Sequence, residues 1–181
     1  STGIGGDAFA LIWNAKDKKV SALNAGGRAP GSASLDELRN QGLSAIPANS
    51  PYAISVPGTV DGWHSILSSH GTMPLSEVLK PAIEYAEQGF PVSQVIAHQW
   101  QGSTNKLAGQ PSGSEFLIEG NAPNRGDVVK LPTLANTLRL ISEGGRDAFY
   151  KGPIADQIAS FVQDHGGWLS TEDLASHTST W

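Results

Sequence analysis

Leu23-Asn24-Ala25-Gly26-Gly27-Arg28-Ala29-Pro30 is the stretch of this 181-residue chain whose residue types are best suited to hold an anion. An apolar strand end runs into two glycines, which let the backbone turn sharply and let another group come close. Arg28 follows them and is displayed beside that open backbone. A guanidinium in such a place can grip a carboxylate with two parallel N–H···O bonds, or it can tie down nearby loop carbonyls. The residues alone leave both roles open, with Arg28, Gly26 and Gly27 as the candidate binding set.

Other chemistries are less well served. Gly3-Ile4-Gly5-Gly6-Asp7-Ala8 fits a dinucleotide-binding glycine pattern in letters only. No strand precedes it and a strand follows it, whereas a phosphate needs a helix N-terminus there. Ser1 or Thr2 at the chain start would suit an N-terminal nucleophile using its own α-amino group as base, but nothing nearby offers an oxyanion site. His64, His70, His98, His165 and His177 fall at no metal-ligand spacing and are expected at the surface or at helix ends. The five tryptophans are scattered and read as core or interface residues. No serine lies in a G-x-S-x-G elbow. No catalytic residue is assigned in this chain, and no metal or cofactor is expected.

Composition narrows the partners. A net charge of −5 without any Lys/Arg run argues against nucleic acid or an anionic membrane surface. The absence of cysteine removes disulfides, thiolate zinc sites and cysteine nucleophiles, and leaves the compartment undetermined. No apolar run approaches the length of a membrane span, and residues 1–6 lack the features of a signal peptide. Small molecules and other proteins remain. With 39% hydrophobic residues the chain can bury a core of its own.

The elements that must position the turn follow from periodicity. Residues 9–13, a polar turn at 14–19 and residues 20–23 predict a β-hairpin. The first strand is apolar on both faces, so it is expected inside a covered sheet. Helices are expected over residues 59–69, behind the sharp Val56-Pro57-Gly58 entry, and over 74–88, with a bend at Pro81. Residues 101–127, rich in Gly, Ser, Asn and Pro, predict mostly surface loop. Leu134, Leu138 and Ile141 mark one further helix face, and Ile154, Ile158 and Phe161 another that ends at Gly166-Gly167. Ser170 to Asp173 predicts a capping box. A hairpin without partner strands, together with the abrupt stop at Trp181, suggests a fragment of a longer protein.

The order of segments is more specific than any single one. Gly3 to Phe9, Leu23 to Pro30, Val56-Pro57-Gly58-Thr59-Val60-Asp61-Gly62-Trp63 and Tyr85 to Val92 come first. Gly126-Asp127, Asp147 to Gly152 with Ile154-Ala155, and Gly166 to Leu174 complete the series. Together they resemble the large subunit of the γ-glutamyltransferase family over nearly the whole chain, 1–181. The resemblance implies an α+β fold, part of an N-terminal-nucleophile hydrolase α-β-β-α sandwich, mostly helical here with a two-strand hairpin. It implies a precursor that cuts itself, a small catalytic subunit as partner whose N-terminal threonine attacks the amide, and glutathione or another γ-glutamyl amide as substrate.

Glutathione-processing members carry their carboxylate-binding arginine at the position matching Gly26, whereas here it is Arg28. Asn24 to Pro30 resembles the acylase and amidohydrolase-like branch, which opens a second reading on another carboxylate-bearing amide. In an extended strand two residues on is the same face, so Arg28 is expected to point toward the pocket in either case. A non-catalytic binding or scaffold relative that lost the nucleophile is the third reading.

Overall fold

A computed structural model describes residues 3–181. Two strands, β1 (Ala8–Asn14) and β2 (Lys19–Ala25), form the expected hairpin, paired antiparallel from Ala8 opposite Ala25 to Asn14 opposite Lys19. Eight α-helices lie among the described residues: α1 (Leu35–Asn40), α2 (Thr59–His70), α3 (Leu75–Gln88), α4 (Gln94–Gln101), α5 (Thr104–Ala108), α6 (Pro132–Tyr150), α7 (Pro153–Asp164) and α8 (Thr171–Ala175). A second, two-residue pairing joins β3 (Phe90–Pro91) to β4 (Val128–Val129). The α+β class read from the sequence is the class observed. No helix among the described residues is long and apolar enough to cross a membrane.

The chain forms two compact units. One runs through Leu75 and resumes with Glu143–Trp181; it holds the hairpin, α1, α2, α7 and α8. Here α2 lies against one face of the hairpin. Gly62 approaches so closely that an added Cβ would stand 2.7 Å from the Ala25 side chain. Val60, Tyr150, Leu169 and Leu174 are wholly buried in this unit. The other unit, Ser76–Ser142, has its own core of Ala86, Val92, Ala97, Val129, Leu131 and Ala135. Its short β3–β4 pairing is extended by Leu131 N–H donating to the Ala86 carbonyl and Val92 N–H donating to that of Asp127.

One expectation needs correction. The first strand is covered on one face only: Ala8, Ala10 and Ile12 are half-buried, while Phe9, Leu11 and Trp13 are 71%, 78% and 59% exposed. A hairpin alternates its side chains, and α2 supplies cover for one side alone. Residues 101–127 are mostly turns and loop, as expected, with the short α5 and a 3-10 turn at Gly113–Phe116 set within them. Their turns are closed by local N–H···O=C bonds such as Leu107 to Ser103, which polar composition does not preclude. Of the tryptophans, Trp63, Trp100 and Trp168 are half-buried, Trp100 packing against the core of the second unit, while Trp13 and Trp181 are exposed.

The helix through Pro81 runs unbroken from Leu75 to Gln88. A separate interruption lies in α6 at Gly145, whose positive φ of 66° sets off a last turn beginning at Arg146. The capping box is present: the Ser170 hydroxyl accepts from Asp173 N–H while the Asp173 carboxylate accepts from Ser170 N–H. Apolar periodicity did not register α1 or α4, each of which is opened by a serine cap, Ser34 and Ser93.

Candidate active-site wall around Arg28

Three backbone turns meet behind Arg28. The Gly6 carbonyl accepts from Gly58 N–H (3.0 Å), Thr59 N–H (2.9 Å) and the Thr59 hydroxyl (2.7 Å). Asp7 accepts from Gly27 N–H at 2.8 Å, and the Asn24 side chain accepts from Gly26 N–H at 2.8 Å, closing an Asx turn. Val56 N–H donates to the Arg28 carbonyl at 3.0 Å. The glycine-rich stretch from Gly3 therefore serves a tight backbone passage, and Val56-Pro57-Gly58 locks the turn from the other side.

Gly27 is required by contact, since an added Cβ would lie 1.6 Å from the Val56 carbonyl oxygen. Both glycine N–H groups are already engaged, so Gly26 and Gly27 shape the turn and leave the guanidinium as the donor. The Arg28 side chain is exposed and makes no hydrogen bond or ion pair among the described residues. The loop-tying role is thus filled by its backbone, not its side chain. A planar fork of donors on a rigid turn, with nothing else to satisfy, is suited to a bidentate carboxylate contact.

A buried polar cluster underlies the turn, and sequence reasoning missed it. Arg146 Nε donates to Asp61, the other Asp61 oxygen accepts from Ser179 N–H at 2.6 Å, and an Arg146 Nη donates to the His177 carbonyl. The Tyr150 hydroxyl donates to the Pro57 carbonyl (2.6 Å) and accepts from Asp61 N–H (3.1 Å). Burial alone would raise the Asp61 carboxyl, but the bonds from Ser179 and Arg146 outweigh it and hold it below the usual carboxylate range. Burial, above all, pushes the Tyr150 phenol well above its ordinary value, so it stays a neutral donor. Asp61 and Arg146 stand 85 residues apart in the chain, and the one local hint is that Arg146 follows a glycine pair.

His177 corrects the expectation of a surface histidine, for it is 4% exposed and stacked on Tyr150 with ring centroids 5.6 Å apart. The other four histidines are not fully buried. Neither His177 ring nitrogen has a partner among the described residues. Burial lowers its pKa, with Arg146 and Arg28 opposing the proton and Asp61 and Asp7 favouring it. The unfolded chain therefore takes up this proton before the folded one does. Stability is full above the ordinary value of 6.5 and falls as pH drops below it. The carboxylates with lowered values, Asp61, Asp147 and Asp173, lose their contribution only below their ordinary 3.8. Melting temperature is expected to fall as pH drops below about 6.5, and His177→Gln should flatten that slope. An unchanged slope in the variant would assign the loss elsewhere. The proposed nucleophile role of Ser1 or Thr2 lies outside the described residues.

A family model described as gamma-glutamyltranspeptidase matches residues 1–181. The chain belongs to the gamma-glutamyltranspeptidase family. It is 37% identical over 182 residues to a protein of Bacillus subtilis (strain 168) named glutathione hydrolase-like YwrD proenzyme, covering 99% of this chain and 34% of that one. Among solved structures, Helicobacter pylori gamma-glutamyltranspeptidase superposes with a TM-score of 0.91 at 33% identity, over 98% of this chain and 52% of that chain. Cephalosporin acylase from Bacillus halodurans superposes with a TM-score of 0.93 at 37% identity, over 99% and 34%. The chain thus spans about a third of the length of the curated relatives it matches. The likeness on both sides agrees with a family member near the acylase branch, as the Asn24 to Pro30 turn suggests.

Proposed function

We propose that these 181 residues form part of the large subunit of a gamma-glutamyltransferase-type enzyme, which hydrolyses or transfers the acyl group of glutathione or another γ-glutamyl amide. A threonine at the new N-terminus of the small subunit, outside these residues, attacks the amide carbonyl. The C–N bond breaks, the amine leaves with a proton, and the acyl-threonine ester then passes its acyl group to water or to a second amine. This chain contributes no nucleophile. Its part is to hold the carboxylate of the substrate at Arg28, on the turn shaped by Gly26 and Gly27.

The observation that carries the reading is the family match over the whole chain, joined to an exposed guanidinium, without a partner among the described residues, on a turn anchored at Asp7, Asn24 and Val56. The two-residue displacement of the arginine and the likeness to an acylase favour a second reading, in which the amide bears a carboxylate other than glutamyl.

Expression of the full-length precursor tests both. Denaturing electrophoresis is expected to show two subunits, with threonine at the N-terminus of the smaller, and turnover of a γ-glutamyl anilide that the 181-residue chain alone lacks. A single uncut, inactive chain would overturn the enzymatic reading, and turnover by the isolated fragment, abolished by Ser1→Ala, would move the nucleophile into it. Processing with turnover of acyl amides but not γ-glutamyl amides would select the second reading.

A further inference from the structure

Arg146 is held on three sides. Its guanidinium donates to Asp61, to Asp147 (3.0 Å) and to the His177 carbonyl, and lies 4.6 Å from the centre of the Tyr150 ring. Asp61 in turn accepts from Ser179 N–H. The pair therefore grips the backbone of residues 177–179 at two points. The next residue, Thr180, pairs in both directions with Asn24, at 2.8 and 2.9 Å. Asn24 opens the turn that carries Arg28, and its side chain accepts from Gly26 N–H. Each link from the ion pair to the turn is a hydrogen bond.

The His177 ring stacks on Tyr150, but the hydrogen bonds of the segment come from its backbone. Among the described residues neither His177 ring nitrogen nor the Ser179 hydroxyl has a hydrogen-bond partner. Three acceptors on separate stretches of chain need a planar fork, which a lysine ammonium does not reproduce.

We propose that the Asp61–Arg146 pair is the positioning device for Arg28: by clamping residues 177–179 it fixes Thr180 against Asn24 and so aims the guanidinium. The proposal rests on the reading of Arg28 as the carboxylate contact. Bidentate recognition tolerates displacements well under an ångström, so a loosened turn costs substrate discrimination before it costs the fold.

The test uses the full-length, two-subunit enzyme carrying Arg146→Lys, or Asp61→Asn, which keeps an acceptor for Ser179. Each is made with Arg28 intact and with Arg28→Ala. Two readouts are taken: kcat/KM for a γ-glutamyl anilide against the same anilide with its α-carboxylate amidated, and hydrogen exchange at the Asn24, Gly27 and Thr180 amides. With Arg28 intact, each variant is expected to lower the carboxylate preference about tenfold and to speed exchange at the three amides about tenfold. In the Arg28→Ala background the preference should not fall further. Equal losses on both substrates, a further fall without Arg28, or unchanged exchange would each overturn the clamp. If Arg28→Ala itself keeps the preference, the reading of Arg28 fails, and exchange alone then decides whether the pair positions the turn.

Discussion

Arg28→Ala is expected to lower kcat/KM of the assembled enzyme for carboxylate-bearing amides by about 2–5 kcal/mol, roughly thirtyfold to several thousandfold, as a desolvated charge pair losing one partner does. The turn should survive the change. What ties residue 28 to Val56 is its carbonyl, which alanine retains, and its exposed side chain has no partner among the described residues. Stability should therefore shift by no more than about 0.5 kcal/mol, the usual range for such surface positions. Arg28→Lys keeps the charge but not the fork, and should fall between wild type and alanine. Amidated substrates should lose much less. A variant that keeps its carboxylate preference while its melting temperature drops would make Arg28 a scaffold residue.

Gly27→Ala is expected to abolish cooperative folding, or to cost more than about 4 kcal/mol in thermal or denaturant unfolding. The new methyl group would sit 1.6 Å from the Val56 carbonyl oxygen, and only backbone movement can relieve that overlap. Such movement would break the Val56–Arg28 and Asp7–Gly27 bonds together. Gly26→Ala is the control within the same turn. Its Cβ would meet the Asn24 side-chain oxygen at 2.9 Å and the Phe9 ring at 3.2 Å, both side-chain atoms that can move. A loss of about 1 kcal/mol is expected there. If the two variants melt alike, the close approach of the Gly27 and Val56 backbones does not set the geometry of the turn.

The amphipathic helices α2, α3 and α7 were legible in the sequence to within a few residues, because their apolar spacing and the glycines that follow them are local properties. The hairpin was legible for the same reason. Its covering was not, since an apolar strand does not say how many faces its neighbours reach. Ile12 is half-buried and Leu11 exposed, though the two are equally apolar.

By itself the sequence determined the class of fold, the family through the order of its motifs, and the turn that displays Arg28 between a glycine pair and a proline. These depend on neighbours along the chain or on segment order. Only the tertiary structure decided that the Arg28 side chain has no partner among the described residues while its carbonyl is bound, that His177 is buried, and that Asp61 and Arg146 meet beneath the turn. Each of those outcomes depends on groups from distant segments arriving at one point. Asp61 lies on α2, Arg146 follows the break at Gly145, and Ser179 is beyond α8. No periodicity or composition records such a meeting, because the energy that fixes it comes from desolvated hydrogen bonds and charge pairing that exist only once the chain has folded.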